Sequence, residues 1–337
     1  MSVTKGQLGA AMGAAGLAGF AWALIIGFGP ALRPTNLTWL FQGDYVGYAF
    51  GWLFYKTAPW GLPLAQLPNL FAPDGTGVGF TDALPWLAVA FKPIAGLLPE
   101  SFHYFGWWAV GCFVLQGVVG AWLGTRLLRD AWAGALVGVL FVLSPPLASR
   151  IGHLALMGHF LVVAAVGLGV LGLGESTVTR RLGQAVALTV LAAGVHPYLL
   201  AMVAPLSLAI VTRLALVEKR LPLARGLAWL LAVPTSGLAT LWLLGYLSGP
   251  RGTQAEGFGQ FSADLLALIN PWSSSRLFGA LGGGPRQHEG FGYLGLGLGA
   301  VALVSVLRLV KARPLARDPC SASCPRCWRA RGSPSTP

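Results

Sequence analysis

Apolar positions run along this chain in blocks of about twenty rather than alternating, with short polar breaks between them. A helix needs about 20 apolar residues to cross a hydrocarbon core about 30 Å thick. On that criterion the pattern predicts about eight spans, near residues 8–29, 104–125, 131–148, 154–173, 184–197, 198–216, 226–247 and 291–310. The expected fold class is all-α, a polytopic transmembrane helical protein. The fifth and sixth spans are parted only by His196-Pro197-Tyr198 and have one kinked helix as their alternative. Merging them would move Arg213, Lys219, Arg220 and Arg225 across the membrane, against the charge pattern below, so two spans are expected. Residues 84–98 are apolar but short and contain Lys92-Pro93, which suits an interfacial or re-entrant helix whose Lys92 amine reaches the headgroups. Gly9/Gly13 and Gly295/Gly299 have the spacing of close helix contacts.

The polar breaks divide the chain into a transmembrane domain, 1–312, and a tail, 313–337. Within the domain lie a long first outer loop, 30–103, and a second one, 248–290, rich in Gly and Pro, with one short amphipathic piece near 261–269. The first loop is unusually aromatic for a solvated segment, and such rings collect at membrane–water boundaries. From about Pro314 the apolar periodicity stops and Pro, Ser, Arg and Cys take over. That stretch reads as a disordered cytosolic tail, frame-altered or truncated. Residues 8–29 read as a retained anchor rather than a cleaved signal.

Composition narrows the class further. The chain is 55% apolar and only 10% charged, where a soluble domain carries about a quarter charged residues. A net charge of +12 invites a nucleic-acid partner, but its placement argues for none. With Lys5 cytosolic, the excess falls inside, in clusters such as Arg126/Arg129, Arg180/Arg181 and Lys219/Arg220/Arg225. This is the positive-inside bias, and it fixes orientation, with a cytosolic N-terminus, rather than a partner. Cys112 reads as a small core residue, and Cys320, Cys324 and Cys327 lack the fourth ligand of a structural zinc site.

Candidate chemistry concentrates on the outer side. Asp44 follows the first span and has two readings, a site carboxylate near the bilayer or the N-cap of a short helix over 45–55. Asp82 reads first as a cap of the 84–98 helix and second as a site residue, and Asp74 reads as a turn. Arg150 and His153, spaced i and i+3 at the start of the fourth span, would share a helix face and could meet a phosphate together. His159 could join them only across a helix break. His196 either lines the same cavity or ends a helix, and Glu289 precedes the last span on the same side. No P-loop, dinucleotide fingerprint, H-E-x-x-H or G-x-S-x-G occurs, which argues against an ATP-driven pump.

The layout resembles the GT-C superfamily of integral-membrane glycosyltransferases, which use polyprenyl-phosphate-linked sugars. Within it, the stretches GDYVGYAFGWLFYKTAPWGLP, FTDALPWLAVAFKPIAGLLPESFHYFGWW and EGFGYLGLG resemble a bacterial membrane-protein family of unknown function. The resemblance covers about residues 1–312, and members of that family usually continue into further spans. It implies that Asp44 serves as acceptor base or helps hold a divalent metal, Mg²⁺ or Mn²⁺, with Asp82 a second acidic position. It implies, more loosely, that Lys92, Arg150 and His153 hold the lipid phosphate. The implied partners are a polyprenyl-phosphate sugar, membrane lipid and an acceptor that is a glycan, lipid or protein. A transporter or lipid flippase and an inactive GT-C-like fragment remain as alternatives. The mid-span ionisable groups that a transporter would need are few, chiefly His159.

Overall fold

The computed structural model describes residues 3–172, 177–247, 265–272, 274–282, 292–293 and 295–312. The chain divides into two compact units, Met1–Phe258 and Gly259–Pro337. Five helical stretches are long and apolar enough to cross a membrane: Lys5–Phe28, Phe105–Leu128, Ala131–Ala148, Pro197–Val217 and Leu223–Leu243. This is the pattern of a mostly helical membrane protein.

In chain order the helices are α1 (Lys5–Ala23), α2 (Tyr45–Tyr55), α3 (Pro85–Phe91), α4 (Phe105–Leu128), α5 (Ala131–Val142) and the short α6 (Pro145–Ala148). They continue as α7 (Phe160–Val170), α8 (Val178–Val195), α9 (Pro197–Thr212), α10 (Leu223–Leu243) and, in the second unit, α11 (Leu296–Ala312). Every expected span therefore contains a helix, although α7 and α11 are short and α8 opens on Arg180 and Arg181. The helix starts follow from local chemistry. Thr4 and Gln7 form a reciprocal capping box for α1, Asp130 accepts from the Ala133 N–H to open α5, and Thr177 does the same for α8.

α8 and α9 are two helices, as the charge pattern requires. His196 between them is extended, and the Ser207 hydroxyl bonds the Thr189 hydroxyl and the Ala185 carbonyl, so the pair folds back on itself as a hairpin. α1, α4 and α5 pack so closely that glycine is required at the contacts. A Cβ on Gly19 would strike the Phe113 carbonyl, one on Gly117 the Ala15 carbonyl, and one on Gly138 the Gly117 carbonyl at 2.6 Å. The expected pairs Gly9/Gly13 and Gly295/Gly299 do not make such contacts, since a Cβ at any of the four meets nothing within 4 Å. The helix pairing instead lies further along α1, where side-chain complementarity with α4 decides the register.

The helix directions sort the charges. Gly19 meets Phe113 while Ala15 meets Gly117, so α1 and α4 are antiparallel and Lys5 lies at the same end as Arg126 and Arg129. α7 runs parallel to α4, since Phe160 meets Trp108 and Gly167 meets Trp122. At its C-terminus Arg181 donates to the carbonyls of Leu168, Leu171 and Gly172, and Arg213 donates to that of Gly169. Both guanidiniums thus satisfy orphan carbonyls at the negative end of a helix dipole. One end of the bundle is basic; the first loop and the α8–α9 turn occupy the other.

The first loop folds as a cap in which some rings are buried and others, among them Phe41, Trp60, Phe71 and Phe80, are exposed. Its aromatic helix α2 buries Tyr48, Trp52 and Tyr55 inside the core, and the last two bond backbone carbonyls. Trp52 Nε1 donates to Phe102 O at 2.7 Å and the Tyr55 hydroxyl to Leu64 O at 2.6 Å. Part of the aromatic richness thus fills a core and satisfies loop carbonyls, while the exposed rings are of the kind that collect at a membrane boundary. Two short antiparallel strands, β1 (Gln66–Leu67) and β2 (Thr76–Gly77), close the cap. Of the expected amphipathic piece at 261–269, the described part, 265–269, is a turn. The tail from 313, with its three cysteines, lies outside the described residues, and Cys112 is a buried core residue as expected.

Candidate functional site

Four of the expected site residues meet in pairs at the loop end. Asp44 stands at the N-cap position of α2, yet its side chain accepts no helix N–H. The carboxylate turns instead to His153, with Oδ2 at 3.7 Å from Nδ1, within ion-pair range but long for a hydrogen bond. The two side chains are 68% and 40% exposed respectively, so this pair is open to solvent.

Asp82 does not cap α3 either: Leu84 holds the N-cap position and no side chain closes that end. Asp82 follows a short 3-10 turn, Val78–Thr81, in the left-handed region (φ 56°), which aspartate tolerates better than most side chains. Its Oδ1 lies 3.3 Å from His196 Nε2, and His196 is only 14% exposed. His196 also caps α9, its Nδ1 accepting the Tyr198 N–H at 3.1 Å. Because Nδ1 is the acceptor, the ring proton of the neutral imidazole sits on Nε2 and faces the carboxylate. His196 therefore ends α8 and opens α9, as one of its two readings expected, and it also faces Asp82.

Packing explains why these pairs form. Gly51 in α2 lets Thr81 and Ala83 lie directly on that helix, since a Cβ there would collide with Thr81. Gly194 at the end of α8 accommodates the Trp86 ring, whose Nε1 donates to Val190 O at 3.0 Å. One wedge thus joins α3, just after Asp82, to α8, just before His196. On the other side, the Tyr45 hydroxyl donates to Ile151 O at 2.5 Å and ties the start of α2 to the turn carrying His153.

Tyr48 senses both acids. Its hydroxyl is buried, with the Ala155 backbone nearby but no hydrogen bond of good geometry. Burial first, then the Asp82 and Asp44 charges, push the phenol up, so it stays protonated. Sequence reasoning missed Tyr48, whose spacing from Trp52 (i+4) and Tyr55 (i+7) reads only as a core stripe. It also missed His103, which stacks on Phe105 and bonds Asn36 O through Nε2 while Nδ1 is buried without a partner.

The remaining expectations are placed differently. Arg150 and His153 share a tight turn, with the His153 N–H donating to Arg150 O at 2.9 Å, and not a helix face. The helix break that His159 needed exists: a 3-10 turn, Leu154–Met157, precedes α7 and leaves His159 at its N-cap within electrostatic reach of Arg150. Pro145-Pro146 and Gly152 in this stretch account for the irregular entry into α7. Lys92 does not reach the headgroups. It is buried, with Nζ 3.9 Å from the Tyr55 ring centroid, 4.6 Å from that of Trp60, and donating to Pro59 O at 3.3 Å. Cation–π contacts there stand in for the outward path that a snorkelling lysine takes. Glu289 lies outside the described residues.

Among the described residues no three His, Cys, Asp or Glu side chains gather as a metal ion would need. Asp44 and His153 are only two potential ligands, so these residues alone do not fit a chelated Mg²⁺ or Mn²⁺. The arrangement as described offers two oriented carboxylates, two imidazoles and a guanidinium at one end of a membrane bundle.

The model of a family described as a domain of unknown function (DUF6311) matches residues 15–327, running past α11 into the stretch of changed composition. No curated protein and no solved structure matches the chain.

Proposed function

The chain belongs to this family, DUF6311, and from the chemistry of its loop end we propose that it is a membrane glycosyltransferase. It would move a sugar from a polyprenyl-phosphate donor to an acceptor hydroxyl at the outer face of a bacterial cytoplasmic membrane. About eight spans and a cytosolic N-terminus complete the reading. The separation of the basic end from the loop end supports that orientation, because basic ends stay cytosolic.

The observation that carries the reading is the Asp44–His153 pair: an N-cap aspartate that leaves its helix uncapped and faces an imidazole at 3.7 Å. A capping role would have used that carboxylate on the α2 N–H groups. In the proposed step the acceptor hydroxyl gives its proton to Asp44 as its oxygen bonds the sugar's anomeric carbon. The bond from that carbon to the phosphate oxygen breaks, and its electron pair leaves with the polyprenyl phosphate. General-base assistance of this kind contributes about 10²–10⁴ in rate. Arg150, in one turn with His153, would supply positive charge to the departing phosphate, with His153 as a further hydrogen-bonding group.

A deletion strain complemented with the wild-type gene or with Asp44→Asn tests this in cells. The reading expects a glycolipid or glycan that disappears on deletion and returns only with the wild type. Full restoration by Asp44→Asn, at equal membrane abundance, would refute Asp44 as the base.

A further inference from the structure

The two carboxylates are not equivalent, and the difference assigns them different work. Asp44 is the more exposed, and its contact with His153 is loose. Asp82 has one oxygen at 3.3 Å from His196 Nε2, and that ring is held from its other edge by the Tyr198 N–H. Both nitrogens of His196 are thus engaged, so the imidazole cannot itself take a proton from a substrate. What it does is fix the carboxylate. Oδ2 of Asp82 has no partner among the described residues, and the side chain is 40% exposed, so this oxygen is open to a ligand.

We infer that Asp82 is a ligand-binding carboxylate that accepts a hydrogen bond from a non-reacting hydroxyl of the bound substrate, and that His196 is its positioning residue. The inference rests on the transferase reading above and deepens it by dividing binding from proton transfer. A carboxylate whose orientation is set before the ligand arrives avoids the cost of ordering it afterwards. A hydrogen bond to a charged acceptor is worth about tenfold or more in affinity. The backbone supports the same assignment: Asp82 sits between the Gly51 contact with α2 and the Trp86 wedge against Gly194, each fixing one side of it.

The test is steady-state transfer by the purified full chain in detergent or nanodiscs, with a synthetic polyprenyl-phosphate sugar as donor, for four proteins. These are the wild type, Asp82→Asn, His196→Asn and the double variant. Asparagine tolerates the left-handed backbone at 82 and is itself a good N-cap at 196, so both single variants keep the local structure. Thermal melting is measured alongside and should move little. The expected result is a KM raised by about tenfold or more in each single variant, with kcat held within about threefold. The double variant should be no worse than Asp82→Asn, because the two residues act as a unit. A collapse of kcat at unchanged KM in Asp82→Asn would make Asp82 the base and overturn the division of labour. Wild-type kinetics in His196→Asn, or simply additive losses in the double variant, would overturn the positioning role. A wild type that transfers nothing would remove the transferase reading, and this inference with it, before any variant is compared.

Discussion

The Tyr48 hydroxyl is buried, stays protonated beside two carboxylates and makes no well-formed hydrogen bond. Removing a group in that state sacrifices no bond and relieves a desolvation cost. Tyr48→Phe should therefore melt at the same temperature as the wild type or slightly above it, by scanning fluorimetry in detergent. A fall of several degrees would mean that the hydroxyl is bonded after all. His103 gives a pH-dependent counterpart. Burial lowers its affinity for protons, against the smaller opposing pull of the Asn36 carbonyl. The unfolded chain then binds more protons than the folded one below the usual histidine range, so stability falls as pH drops through about 6.5. His103→Gln should flatten that loss between pH 7.5 and 5, and an unchanged slope would assign the dependence to other groups. Residue types at the site were legible in the sequence: Asp44, Asp82, His153 and His196 all stand out as polar groups near membrane boundaries. Their pairings were not, because each pair joins segments more than a hundred positions apart, and no local spacing encodes that.

Elements followed the apolar blocks closely, because a helix that must bury its own backbone polar groups in lipid declares itself by length and composition. The α8–α9 break at His196-Pro197 was legible from charge, since one helix would have carried four basic residues to the wrong side. The first loop was legible only in part, for a physical reason. Aromatic density looks the same whether rings face lipid headgroups or a core, and only the non-local bonds of Trp52, Tyr55 and Trp86 decide between them. Those bonds make element-scale predictions. Gly194→Ala puts a Cβ into the Trp86 ring and must displace α3 from α8. Overpacking of this kind costs about 1–3 kcal/mol, and on this account it also loosens Asp82 from His196. Trp86→Phe keeps most of the ring, loses the bond to Val190 O, and should soften the effect when combined with Gly194→Ala. Equal melting temperatures for Gly194→Ala and wild type would show that the wedge is not tight. Gly138→Leu, between Ala15 and Gly117, should destabilise the α1–α4–α5 bundle more than Gly13→Leu, which meets open space.

The first unit, Met1–Phe258, is polarised. Arg126, Arg129, Arg181 and Arg213 gather with Lys5 at one end, where two of them bind the carbonyls that close α7. Both carboxylate–imidazole pairs lie with the loops at the other end, beside a cap whose core is aromatic. A transferase acting on a lipid-linked sugar needs that division: a membrane bundle to admit the lipid, an outer cap to shape the polar reaction, and charge that holds the orientation. The direct measurement is release of free polyprenyl phosphate from a synthetic polyprenyl-phosphate sugar by the purified chain, followed over time for wild type and Asp44→Asn. The account predicts time-dependent release by the wild type and a loss of about a hundredfold or more in the variant. Release at equal rates by both, or by neither under any acceptor tried, would contradict it.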